Sequence, residues 1–155
     1  RDRLARLAAE ASQHGKVWLQ GGVPTGPLSQ GAFVSPTLVE VSDLSSKYIQ
    51  EELFGPVLVI ERYRDQADAI ARANATRYGL AASVWTSDRA VGQAMARELK
   101  SGTVWMNTHN KLFPEAETGG FRESGYGRLH GVEGLNDFLS TKHVYWESQP
   151  IGVVR

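Results

Sequence analysis

Between residues 57 and 106 the hydrophobic period changes repeatedly, and no other feature limits the possible folds as strongly. Val57 to Tyr63 (VLVIERY), Leu80 to Trp85 (LAASVW) and Thr103 to Met106 (TVWM) are short apolar runs rich in β-branched and aromatic residues, the composition of buried strands. Two amphipathic stretches separate them. Gln66 to Ala75 places Ala67, Ile70 and Ala73 on one face, behind Asp65, a good N-cap acceptor. The second is capped by Ser87 or Asp88, turns Val91, Ala94, Met95 and Leu99 inward and stops at Gly102. This β-α-β-α-β order with short connections predicts an α/β fold with right-handed crossovers and a parallel sheet. Ligands in such sheets sit beyond the carboxyl ends of the strands.

The flanking segments are less regular. Leu4, Leu7, Ala8 and Ala11 predict a helix over 2–13, ended by Gly15. Lys16 to Gln20 reads as a short strand, 21–31 as a Gly/Pro-rich loop, and 33–41 as a strand bent at Pro36. Residues 107–128 hold Gly119, Gly120, Gly125 and Gly127 and form a long loop, a length usually reserved for function or mobility. A helix over 132–139 and a strand over 141–146 follow. A helical pattern is already under way at Arg1, so the chain is expected to be a fragment of a longer protein.

Bulk composition excludes several classes. The 155 residues suit one domain with a real core. Seventeen basic and seventeen acidic residues cancel, leaving no electrostatic footprint for nucleic acid or an anionic membrane. No apolar run approaches the roughly 20 residues needed to span a bilayer. The chain contains no cysteine. Disulfides, thiolate metal sites and a cysteine nucleophile of its own are therefore excluded, and a cytoplasmic location is the expectation. His14, His109, His130 and His143 lack metal-binding spacing, so no metal site is expected. Residues 125–131 (GYGRLHG) fail the dinucleotide fingerprint, because the third glycine is one place late and no strand precedes them. There is no phosphate-cradling P-loop and no G-x-S-x-G nucleophile elbow.

The segment EELFGPV, 51–57, places two carboxylates and an aromatic at the mouth of a strand. Glu51 and Glu52 read either as solvated residues at a helix end or as a carboxylate directed into a cleft. In the second case one carboxylate accepts hydrogen bonds from the vicinal hydroxyls of a ribose. Phe54, two positions on in an extended segment, would then face the same way and lie against a flat heterocycle. Gly55-Pro56 would stiffen the turn.

Together with NATRYGLAASVWTSD (74–88), SGTVWMN (101–107) and GGFRESGYGRLHGVEGLNDFLSTK (119–142), this segment resembles the aldehyde dehydrogenase superfamily, with the blocks in family order and spacing. The resemblance implies the C-terminal part of the catalytic domain over 1–140 and an oligomerisation strand and tail over 141–155. It implies that Glu52 binds the nicotinamide ribose of NAD or NADP and that Phe54 lies near the nicotinamide. Asn107 would open the loop lining the aldehyde tunnel, with Leu112 and Thr118 where relatives often carry substrate-contacting aromatics. Thr118-Gly119-Gly120 departs from the family's usual Phe-Gly-Gly, and Glu115 and Glu117 add acids to the loop. These acids are either solvated or suited to a polar or cationic aldehyde. The implied reaction oxidises an aldehyde to a carboxylic acid through a cysteine thioester. The nucleophile lies upstream, so no catalytic residue is expected in this chain and the fragment alone should be inactive. Residues 141–147 are expected to pair across subunits of a homo-oligomer, a dimer or tetramer. The alternatives are a stand-alone, non-catalytic α/β binding module and a CoA-acylating relative.

Overall fold

In the computed structural model, residues 1–147 are described. Helix α1 (Asp2–His14) leads into β1 (Lys16–Leu19), and Gly26–Gln30 forms a 3-10 turn. Next come β2 (Thr37–Glu40), α2 (Lys47–Gln50), β3 (Val57–Ile60), α3 (Gln66–Ala73), β4 (Ala81–Val84), α4 (Arg89–Glu98) and β5 (Thr103–Met106). A second 3-10 turn at Arg122–Ser124 and the single-turn helix α5 (Glu133–Asn136) complete the order.

Strand β2 is central to a three-stranded sheet. It pairs antiparallel with β1 and parallel with β3, from Thr37 opposite Val57 to Glu40 opposite Ile60. Strands β4 and β5 form a separate parallel pair, Ala81 opposite Thr103 to Val84 opposite Met106. The fold is α/β with parallel pairing, as the periodicity predicts, but the β3-α3-β4-α4-β5 run does not close into one sheet. Strand β3 bonds to β2 and not to β4. Sequence period identifies strands; it says nothing about which edges meet.

The core lies between α1 and the three-stranded sheet. Leu7 and Ala11 pack against Val39, Val41, Tyr48 and Leu53, with Leu4, Val17, Val57 and Val59 at its margin. Tyr48 is buried, and its phenol finds a partner by donating to the Leu7 carbonyl oxygen at 2.5 Å, the condition under which a buried tyrosine is favourable. The short α2 was not legible in the sequence. Ser46 caps it, its hydroxyl oxygen accepting from the Tyr48 amide at 3.4 Å.

Caps define the two crossover helices. Asp65 accepts from the Asp68 amide at 2.9 Å. Of the two cap candidates before α4, Asp88 is the one used, accepting from Ala90 and Val91 amides at 2.8 and 3.1 Å. The inward face of α4 holds at Leu99, which is buried, but Gly92 is buried as well and Ala94 is exposed. Helix α3 buries none of its residues.

Asp68 gathers cations around the start of α3. It accepts from the Arg64 amide at 3.0 Å and Arg64 Nε at 3.3 Å, and pairs with Arg72 Nε at 3.4 Å. The Arg64 amide, then the Arg64 guanidinium, hold its carboxyl below the ordinary value of 3.8. A lowered folded pKa contributes stability that is fully present above the unfolded value and is lost as pH falls through the folded one. Thermal melts should therefore decline below about pH 4, and the decline should be shallower for Asp68→Asn. Equal acid profiles for both proteins would remove Asp68 from this role.

Near the C-terminus the helix expectation is corrected. The helix predicted over 132–139 contracts to the single turn of α5. Residues 141–147 form no helix or strand, and Val144, Tyr145 and Trp146 are 77%, 74% and 87% exposed. The rest of the expected tail, 148–155, lies outside the described residues.

Candidate functional site

Three of the quoted sequence blocks meet at one cavity. Its volume is about 440 Å³, and Glu52, Tyr78, Leu80, Glu123 and Ser124 line it. Each wall has a local cause. Glu51 ends α2 in an extended conformation. Leu53 then turns into the core, and its carbonyl accepts from Arg3 Nη2 at 2.6 Å. Alternation in extended backbone sends Glu52 the other way. Gly55 packs so closely on Leu4 that a Cβ would overlap the leucine side chain, which fixes the segment on α1.

The opposite wall is the 119–125 loop pinned to residues 74–80. The Gly79 carbonyl accepts from the amides of Gly102 and Phe121 at 3.0 and 2.8 Å. The Gly79 amide donates to Ser124 Oγ at 3.0 Å. Arg122, at φ 55°, donates to the carbonyls of Asn74 and Thr76. Gly102 brings in the fourth block, because its α-carbon lies against the Gly119 carbonyl. Leu80 and Gly102 immediately precede β4 and β5, so the cavity lies at the amino ends of these strands. This cavity is not at the carboxyl ends where ligands of parallel sheets are expected. The site is built by a returning loop and not by the sheet's own switch point.

The cavity holds two carboxylates in different states. Glu123 pairs with Arg77 Nε at 3.3 Å. Among the described residues Glu52 makes no ion pair and no side-chain hydrogen bond, leaving its oxygens free to accept. Glu51 is not part of the lining. Ser124 Oγ accepts from Gly79 and Tyr78 Oη accepts from Arg77 Nη2 at 3.0 Å. Both hydroxyls keep a proton to donate. The cavity can therefore take a polyhydroxyl group of sugar size, acceptor on one side and donors on the other.

The remaining candidates are more dispersed. Phe54 is 81% exposed and sits at φ 51°, a left-handed conformation rare for a bulky residue and found where surrounding structure imposes it. That φ breaks the expected alternation, and Phe54 is not in the cavity lining. Leu112 is 52% exposed and also outside it. Thr118 exchanges two backbone hydrogen bonds of 2.8 Å with Leu129, and its hydroxyl lies 3.1 Å from His130 Nδ1. This bridge stands just before the Gly119–Gly102 contact. Glu117 accepts from the Val132 amide at 3.1 Å. Backbone amides, its own first, hold its carboxyl below the usual range, so it stays ionised while it receives the Val132 amide ahead of α5. Asn107, at φ 53°, clamps the opposite end of β4: Oδ1 accepts from the Thr86 amide and Nδ2 donates to the Thr86 carbonyl, both at 2.8 Å.

Sequence reasoning missed Tyr78, Leu80, Glu123 and Ser124 as lining residues, although each stands inside a recognised block. Among the described residues, no group of three or more His, Asp or Glu is placed to hold a metal ion, and no helix is long and apolar enough to cross a membrane.

A family profile described as "Aldehyde dehydrogenase family" matches residues 1–144. The chain belongs to the aldehyde dehydrogenase family. It is 39% identical over 134 residues to betaine aldehyde dehydrogenase of Bacillus subtilis (strain 168), covering 86% of this chain and 27% of that protein. It is 40% identical over 124 residues to phenylacetaldehyde dehydrogenase of Pseudomonas fluorescens, covering 78% and 24%. Among solved structures it superimposes on betaine aldehyde dehydrogenase of Staphylococcus aureus in complex with NAD+. The TM-score is 0.87 at 35% identity, over 99% of this chain and 31% of that one. The chain thus spans 24% to 31% of the length of these relatives.

Proposed function

We propose that the segment is the C-terminal part, over 1–140, of the catalytic domain of an NAD- or NADP-dependent aldehyde dehydrogenase. The intact protein would oxidise an aldehyde to a carboxylic acid through a cysteine thioester. The observation that carries this reading is the unpartnered Glu52 carboxylate in a cavity where three family blocks converge. A similar chain, the Staphylococcus aureus enzyme, is solved with NAD+.

In this reading the bound dinucleotide supplies the hydride acceptor. Glu52 accepts hydrogen bonds from ribose hydroxyls, and its charge makes them stronger than neutral ones. Ser124 and Tyr78 offer donors across the cavity. Phe54 flanks the nicotinamide end, where its exposed ring can cover a flat heterocycle. Leu112 and Thr118 belong to the aldehyde entrance. With threonine in place of an aromatic, that entrance is wider and more polar. Residues 141–147 gain their strand by pairing with another subunit of a dimer or tetramer, which would cover Val144 and Trp146. A cytoplasmic location completes this reading.

No thiol is present in these residues, so they contribute binding groups and no nucleophile. The full-length polypeptide should reduce NAD+ or NADP+ in the presence of an aldehyde and release the free acid. The 155-residue segment alone should do neither. Product formed only with added coenzyme A would favour the acylating relative. Turnover by the segment alone, or none by the full-length protein across aliphatic, aromatic and cationic aldehydes, would refute the proposal.

A further inference from the structure

Arg77 stands outside the lining of the Glu52 cavity, yet it touches two residues that belong to it. Its Nη2 donates to Tyr78 Oη at 3.0 Å, and its guanidinium carbon lies 5.2 Å from the centre of the Tyr78 ring. Its Nε pairs with Glu123 at 3.3 Å. The backbones meet as well, the Glu123 amide donating to the Arg77 carbonyl at 3.1 Å. A planar guanidinium fixed on one partner presents its remaining donors in a set direction, which an ammonium on a flexible stem does not. Tyr78 first, then the charges of Glu123 and Glu51, raise the pKa of Arg77 above its ordinary value. Glu123 and Glu51 are therefore the acids whose field Arg77 feels, and Glu123 is the one that lines the cavity.

The ion pair is not what holds the wall. Arg122 is bonded to the carbonyls of Asn74 and Thr76, and Gly79 to Ser124 and Phe121. None of these contacts uses the Arg77 side chain. Both members of the pair are more than half exposed, and exposed pairs add little stability. The consequence of the pair lies in the cavity. Without Arg77, a space of about 440 Å³ would carry two unengaged carboxylates, Glu52 and Glu123. Ionised carboxylates only accept. A freed Glu123 would compete for the hydroxyl protons that Tyr78 and Ser124 offer to a ligand. It would also add a like charge beside Glu52 and against a dinucleotide, which is itself anionic.

We propose that Arg77 is a positioning residue of the dinucleotide site: it engages Glu123, so that Glu52 is the single free carboxylate presented to the ribose diol. Tyr78 holds the guanidinium in place for that task. The inference rests on the reading of the cavity as a dinucleotide site.

Calorimetric titration of the full-length polypeptide with NAD+ and with NADP+ tests it, with aldehyde oxidation measured on the same sample. Arg77→Ala should raise the Kd of whichever dinucleotide the parent binds about 3- to 10-fold, between the scale of an exposed ion pair and that of a hydrogen bond to a charged group. Its melting temperature should stay close to the parent's. Arg77→Lys keeps the charge and should bind more tightly than Arg77→Ala. Adding Glu123→Gln to Arg77→Ala should recover most of the loss, because the carboxylate that Arg77 engages is removed with it. A purely structural role for Arg77 would not be repaired in this way. Equal binding by the parent and Arg77→Ala would overturn the inference, and with an active parent it would leave the dehydrogenase reading standing. A double variant as weak as Arg77→Ala, or an Arg77→Lys no tighter than it, would also overturn it. A parent that binds neither dinucleotide would overturn this inference and the functional reading together.

Discussion

Glu52→Gln in the full-length polypeptide should leave the fold intact and slow hydride transfer about 5- to 150-fold, the equivalent of about 1–3 kcal/mol, the scale of a hydrogen bond to a charged group. The side chain makes no hydrogen bond or ion pair within the described protein, so the substitution removes little that folding uses. It removes a negative acceptor from a cavity whose other carboxylate, Glu123, is engaged by Arg77. The loss should appear in single-turnover rates with bound cofactor, and the melting temperature should stay within a degree or two of the parent. Glu51→Gln is the control, since Glu51 lies outside the cavity lining, and it should change neither quantity. Equal effects of the two substitutions would reduce Glu52 to a surface charge.

Gly102→Ala should cost about 3 kcal/mol or more, at the upper end of what overpacking does to a close-packed site. A Cβ at Gly102 would overlap the Gly119 carbonyl, and the atoms it meets are backbone, which cannot rotate aside. Gly119 begins the 119–125 loop, whose hydrogen bonds to Gly79 form one wall of the cavity. Movement there displaces Ser124 and Glu123 together, so any protein that still folds should bind cofactor weakly. Gly127→Ala is the matched control: its Cβ would meet only Asp137 Oδ2 at 3.7 Å, an ordinary contact. Comparable melting temperatures for the two variants would show that the loop yields easily and that the Gly102–Gly119 contact does not hold the wall.

The elements that sequence patterning defined well are those with local causes. Asp65 and Asp88 cap α3 and α4 through their own side chains, and the apolar runs at 57–60, 81–84 and 103–106 are strands. Sheet assembly was not legible, because β3 bonding to β2 depends on contacts between distant segments. The extension of β3 to Tyr63 failed for the same reason: its partner β2 ends at Glu40, opposite Ile60. Glu52 was legible as a candidate, but its distinction from Glu51 was not. That distinction comes from Leu53, whose burial sets the alternation, and from a wall supplied by residues more than 20 positions away. Phe54 illustrates the limit of extended-chain reasoning, since one positive φ redirects its ring. Glu117 could not be assigned from composition, because a solvated acid and one that receives a backbone amide look alike until Val132 is placed beside it.

A crystal structure of the full-length polypeptide with its oxidised dinucleotide bound is the most direct measurement. The Glu52 carboxylate should lie at about 2.5–2.9 Å from the nicotinamide ribose hydroxyls, the range of charge-assisted hydrogen bonds, with the Phe54 ring beside the nicotinamide. A ribose held by other groups, with the Glu52 cavity filled by solvent, would contradict the assignment.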